Sequence, residues 1–168
     1  MSFGADLKFN AAFLQLMNLE GGWSDSGIDK GGKTKYGISS KYYPKLDLDS
    51  ITLDGAKTFY YTEYWLTMQL DKVTDAALAS ELLEQGVNFG PVVAISHLQE
   101  ALARLGIKLG IDGRMGPATL AAANNYPDKQ RLIRVLDGIQ FCTYCHIVDG
   151  DASQAGNFIG WLRRIGSL

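Results

Sequence analysis

The stretch DLKFNAAFLQLMNLEGGW, residues 6–23, decides how the whole chain is read. Phe9, Ala12, Phe13, Leu16, Met17 and Leu19 recur at spacings of three and four, the period of a helix with one apolar stripe. Gly21 and Gly22 end that helix, because glycine takes the left-handed cap conformation at no steric cost. Glu20 is thereby left at the helix C-terminus, facing the negative end of the helix dipole, with Trp23 near enough in sequence to cover it. Both influences raise a carboxyl pKa and keep the proton on near neutral pH.

Downstream, residues 23–40 are dense in Gly, Asp and Ser, which excludes a helix there, and residues 33–38 suit a short hairpin strand. The rest of the chain reads as helices. Thr52 is the expected N-cap of one carrying Ala56, Phe59, Tyr60 and Trp65, and Thr74 of one running to Gly86. Pro91 opens a helix that buries Ala94, Ile95, Leu98, Ala101, Leu102 and Leu105 before Gly106 stops it. Pro117 opens a short helix to about Ala123, and Pro127 starts a long one through Tyr144. The last holds Phe158, Trp161, Leu162 and Ile165. The expected fold is mainly α, with one small β-hairpin close to the acidic residues that follow the first helix.

At 168 residues, with 46% hydrophobic and 20% charged residues, the composition is that of an ordinary soluble globular domain. A net charge of -2 lacks the basic surplus of a nucleic-acid binder. The charge is uneven: residues 1–90 carry a net -4 and residues 91–168 a net +2, so the second half suits an anionic polymer. No apolar run reaches the length of a membrane span, and residues 1–20 lack the apolar core of a signal peptide. The expectation is synthesis in a bacterial cytoplasm, no stable membrane insertion and a monomer.

Glu20, Asp25 and Asp29 lie close enough in sequence to surround one cleft. Glycosidic hydrolysis needs a carboxylic acid to protonate the leaving oxygen and a second group to activate water or to stabilise the oxocarbenium-like transition state. The glycine-rich turn Glu20-Gly21-Gly22-Trp23, followed by Asp29-Lys30-Gly31-Gly32-Lys33-Thr34-Lys35-Tyr36-Gly37-Ile38, resembles the opening signature of glycoside hydrolase family 108. Trp23 stands in place of that family's Tyr. The resemblance continues through residues 53–56, Tyr64-Trp65 and residues 84–90, where Val87-Asn88-Phe89-Gly90 is similar to a Val-Asn-Ser-Gly turn and Glu84 replaces an expected Asp.

This resemblance implies an N-acetylmuramidase of lysozyme-like fold, with Glu20 as general acid and no metal or organic cofactor. By similarity to phage-type lysozymes, Asp29 holds or activates the water and Thr34 positions it, with Asp25 the rival to Asp29. Trp23, Tyr36, Trp65 and Asn88 are the candidate sugar contacts, although helical spacing from Phe59 makes Trp65 a core residue first.

Residues 97–106 and Asp112-Gly113-Arg114-Met115-Gly116-Pro117-Ala118-Thr119, with Phe158 to Ile165, resemble predicted peptidoglycan-binding modules. Asp112 and Thr119 also read as plain caps of the loop and of the helix after it. The implied organisation is a catalytic region over 1–90 and a peptidoglycan-binding region over 91–168, packed as one compact unit. The expected partner is the peptidoglycan glycan strand, reached in the periplasm after holin-dependent release of a phage or prophage endolysin. Delivery by a bacterial secretion system is the alternative. Two other readings are a lytic transglycosylase and a non-catalytic wall-binding protein.

One motif points elsewhere. Cys142-Thr143-Tyr144-Cys145-His146 spells the Cys-x-x-Cys-His haem attachment pattern. Its position inside a long helix, in a chain without an export segment, makes it two small helix residues beside a His. A zinc site from His97, His146 and the two cysteines fits no common ligand spacing.

Overall fold

The computed structural model describes residues 6–19, 33–162 and 165. The first helix, α1 (Leu7–Leu19), is capped by Asp6, whose Oδ1 accepts the Phe9 amide at 3.0 Å. Its stripe Phe9, Ala12, Phe13 and Leu16 is buried, as the spacing requires. The hairpin follows, with β1 (Thr34–Lys35) antiparallel to β2 (Ile38–Ser39) and Lys35 paired with Ile38. A type I′ two-residue turn, one of the two that match strand twist, needs positive φ at both positions. Gly37 (φ 78°) meets that freely, whereas Tyr36 (φ 52°) is held there at a cost of about 1–3 kcal/mol. Its carbonyl, in return, accepts the Tyr60 hydroxyl at 2.9 Å.

Thr52 caps α2 (Leu53–Tyr60) as expected, accepting the Gly55 amide. The helix then widens into a π-helical segment, Tyr61–Leu66. With more than four residues per turn, this segment brings Tyr60, Tyr61, Tyr64 and Trp65 all into buried positions. Trp65 is fully buried, packs on Phe9 at 5.4 Å between ring centroids and donates from Nε1 to Asp6 Oδ2 at 2.9 Å. One side chain thus joins the cap of α1 to the core, where burying a large apolar group contributes about 1.5–3 kcal/mol.

Helix α3 (Ala76–Phe89) is capped by Asp75, not Thr74. The Thr74 amide and hydroxyl are committed instead to the Asn124 side chain, at 2.9 and 3.2 Å. Gly90 (φ 86°) turns the chain into α4 (Pro91–Arg104), with Pro91 in the first helical position as expected. α5 (Pro117–Asn125) begins after Gly116, and Thr119 does not cap it. Thr119 is buried and accepts from Gln99 Nε2 at 3.0 Å. α6 (Lys129–Gly150) starts two residues later than Pro127 suggested, because the Asp128 side chain caps it by accepting the Arg131 amide. α7 (Ala155–Leu162) ends the described helices.

The architecture is mainly α with a single hairpin among the described residues. α3 lies at its centre, packed on α1, α4 and α6. Lys8 of α1 reaches the Val73 carbonyl and Gln15 accepts from Ser80 at 2.9 Å. Both links join residues 65 apart, so α1 runs parallel to α3, towards the end that carries Glu84 and Asn88. The core is continuous from Phe9 and Leu16 through Leu78 and Leu82 to Leu98, Leu132 and Leu136. No described helix is long and apolar enough to cross a membrane.

Gly86 is a tight point of this packing, since a Cβ there would lie 2.5 Å from the sulfur of Met68, a buried residue. Alanine in a helix interior normally gains about 1 kcal/mol over glycine, but overpacking costs about 1–3 kcal/mol. Gly86→Ala is expected to lower the denaturation midpoint, and the same substitution made in a Met68→Ala background is expected to raise it. Equal effects in the two backgrounds would show that the contact does not limit packing.

Candidate active site

A cleft of about 410 Å³ opens between the hairpin, the α2 and π-helical segment, and the end of α3. Gly37, Ile38 and Ser39 form one edge, and Tyr42 and Tyr43 stand beside it. Phe59, Tyr60 and Tyr64 form the inner wall. The rings brace each other: Tyr43 meets Phe59 edge-on at 4.7 Å, and the Tyr43 and Tyr64 hydroxyls lie 2.9 Å apart. Burial, with the Tyr43 hydrogen bond, drives the Tyr64 pKa far above its ordinary value, so its hydroxyl stays neutral. Tyr42 projects from the rim, 73% exposed. Such a surface, with flat apolar faces and hydroxyls at their edges, suits sugar rings.

The opposite wall is Val87, Asn88 and Phe89, followed by Gly90 and Pro91. Asn88 donates its amide to Glu84 Oε1 one turn earlier, and Glu84 Oε2 accepts from Gln140 of α6 at 2.9 Å. Phe89 packs on Tyr144 at 5.0 Å, and Tyr144 stacks on Trp161 of α7 at 5.0 Å. Asn88 and Phe89, both half-buried, are therefore held from behind by helices of the second half of the chain.

The seam behind the wall is polar and buried. His97 shares Nδ1 with Gln85 Oε1 at 2.8 Å and Nε2 with the Thr143 hydroxyl at 3.1 Å, and burial holds its pKa below the ordinary value. Glu81 accepts from Gln85 at 2.9 Å. Burial pushes the Glu81 carboxyl up to about 8, helped by the nearby charges of Asp137 and Glu84 and opposed by the Gln85 hydrogen bond.

Of the residues singled out from sequence, Glu20, Trp23, Asp25 and Asp29 lie outside the described residues. The two ends that flank them do not. α1 points towards the Glu84–Asn88 end of α3, and Thr34 sits in β1 opposite Ser39, which lines the cleft. Asn88 lines the cleft. Tyr36 is half-buried against the core and meets the site through its carbonyl, which fixes Tyr60. Trp65 requires a correction: fully buried and hydrogen-bonded to Asp6, it has no face to offer a sugar, and its helical spacing from Phe59 was the better guide.

Sequence reading missed Tyr42, Tyr43, Tyr60 and Tyr64 as cleft residues, and Glu84 and Gln140 as its supports. The density of tyrosine in residues 36–64 was the available signal. Cys142 is exposed and Cys145 half-buried on α6, both as free thiols. Among the described residues no group of three His, Cys, Asp or Glu is arranged to hold a metal ion, and both His97 nitrogens are already committed.

Residues 13–90 match a family model described as glycosyl hydrolase 108, and residues 93–166 match one described as a predicted peptidoglycan domain. Between the two lie only Pro91 and Val92, the first residues of α4. The solved structure of Brucella abortus SagA is similar, with a TM-score of 0.75 at 25% sequence identity, covering 96% of this chain and 91% of that one. No curated protein matches the sequence.

The seam predicts a pH dependence of stability. In the unfolded chain Glu81 ionises near its ordinary 4.5, whereas the folded chain keeps that proton to about 8. The folded state therefore binds more protons across this window. The stabilisation is complete below about 4.5 and is lost as pH rises to about 8. Glu81→Gln should flatten the fall of melting temperature between those values and melt higher than wild type at pH 8. An unchanged slope would contradict it.

Proposed function

We propose that the chain is an N-acetylmuramidase, a glycoside hydrolase acting on peptidoglycan, a reading supported by the match of residues 13–90 to glycosyl hydrolase 108 and of residues 93–166 to a predicted peptidoglycan domain. The bond cleaved is the β-1,4 link from N-acetylmuramic acid to N-acetylglucosamine. The observation that carries this reading is the tyrosine-lined cleft: its hairpin edge pairs with Thr34, and α1, after which Glu20 follows in sequence, runs towards the end of α3 that forms its other wall. Glu20 follows directly on the last residue of α1. A carboxyl at that end of a helix is opposed by the dipole, so its proton is retained for delivery to the leaving oxygen.

Asp29 holds or activates the attacking water, and Thr34, on the strand next to the cleft edge, helps to position it. Asn88 and the tyrosines hold the sugars. The Asn88 amide is pinned by Glu84, which fixes its orientation in the wall before substrate arrives. A hydrolase region and a wall-binding region in one short chain support an endolysin role, with lysis of a bacterial wall as the outcome.

Release of soluble fragments from purified sacculi tests the assignment. Glu20→Gln is expected to lose about 10²–10⁴-fold in rate with an unchanged melting temperature, the usual contribution of a positioned general acid. Asp29→Ala is expected to slow release severely. Wild-type turnover by a folded Glu20→Gln protein would remove Glu20 from the role of acid.

A further inference from the structure

A second groove, of about 350 Å³, continues from the first. Pro91 lines both, and the helix face that presents Tyr60 and Tyr64 to the cleft runs on to Thr67 and Met68 in the groove. Val92 and Ile95 of α4 form its floor, and the turn Gly113-Arg114-Met115-Gly116 its far wall.

This turn is built with unusual care for a surface loop. Gln99 of α4, 1% exposed, donates from Nε2 to Asp112 Oδ1 at 2.8 Å, to the Arg114 carbonyl at 3.1 Å and to Thr119 at 3.0 Å. Its Oε1 accepts the Asp112 and Gly113 amides, each at 2.9 Å. From the other side, Gln69 donates to the Met115 carbonyl at 2.8 Å. Gly113 (φ 68°) lies so close to α4 that a Cβ would come within 2.6 Å of the Val92 side chain and 2.9 Å of its carbonyl.

These bonds satisfy the loop backbone and leave one side chain uncommitted. Arg114 is exposed, lines the groove and has no ion-pair partner among the described residues. The nearby acid, Asp112, is turned to the loop, its Oδ1 accepting both Gln99 and the Arg114 amide, the latter at 2.9 Å. The groove is thus a largely apolar trough on a fixed loop backbone, with the exposed Arg114 guanidinium at its end. Bare glycan, edged with hydroxyl and N-acetyl groups, gains little from such a lining. A short peptide with methyl-bearing side chains and free carboxylates matches it, since a guanidinium binds carboxylate through paired, charge-assisted hydrogen bonds. All six arginines of the chain lie in this second half, which carries the net +2.

We propose that the groove ending at Arg114 binds the carboxylate-bearing stem peptide that hangs from the muramic acid held in the cleft. The inference rests on the muramidase reading for the sugar. It adds a second recognition element, for the peptide, at a position continuous with the first.

The test compares glycan strands that carry stems with the same strands after enzymatic removal of the stems. Wild-type full-length protein is expected to show a higher kcat/KM on the stem-bearing strands. Arg114→Glu should lower that value by about tenfold more than it lowers the value for stripped strands, the size expected for loss of a charged hydrogen bond. Arg114→Lys should fall between. Isolated stem tripeptide titrated into wild type should shift the signals of residues around Val92 and Gly113, and fail to do so in Arg114→Glu. Equal losses on both substrates, or a wild type indifferent to stems, would overturn the proposal. If neither strand is cleaved, the muramidase reading fails, and the peptide titration still decides the groove.

Discussion

The structure depends on α3 being buried on more than one side. Its apolar face, with Leu78, Leu82 and Gly86, belongs to the common core of α1 and the π-helical segment. Its other face carries Glu81, Glu84, Gln85 and Asn88, groups that are costly to remove from water unless each is hydrogen-bonded. The partners come from α4 and α6: His97, Gln140 and the Asp137 side chain, which is hydrogen-bonded to Glu81. A helix of the segment that matches glycosyl hydrolase 108 thereby has its polar side completed by helices of the segment that matches the predicted peptidoglycan domain.

That arrangement shapes the cleft. Asn88 and Phe89 reach the cleft only because Glu84 and Tyr144 stand behind them, and those two are held by Gln140 and Trp161. The second half of the chain thus contributes stiffness to the wall, over and above any affinity for peptidoglycan. The keeping of a proton on Glu81 follows from the same geometry, since three carboxyl groups beside one seam cannot all be charged at low energetic cost.

Much of this was legible in the chain itself. The spacing of Phe9, Phe13 and Leu16 marks α1, and Pro91 and Pro117 mark helix starts, because these signals are local and obey helix geometry. Thr74 and Pro127 misled by one or two residues. The next residue was in each case an aspartate, a stronger cap, and Thr74 was drawn to Asn124, fifty residues away. The π-helical turn left no periodic trace, so the tyrosines it turns inward and Trp65, a candidate sugar contact that proved to be core, could be sorted only in three dimensions. The roles of Gln99, Glu84 and Gln140 were equally hidden: each acts on residues well away in sequence, and a buried glutamine looks the same as a solvated one in a one-dimensional string.

In the proposed account, cleft, wall and seam form a surface that holds a glycan strand while Glu20, which follows α1 in sequence, delivers a proton. Mass spectrometry of the soluble products from purified peptidoglycan tests that account most directly. It predicts fragments that have gained one water per cleavage and that end in reducing N-acetylmuramic acid. Fragments ending in anhydromuramic acid, or in reducing N-acetylglucosamine, would contradict it.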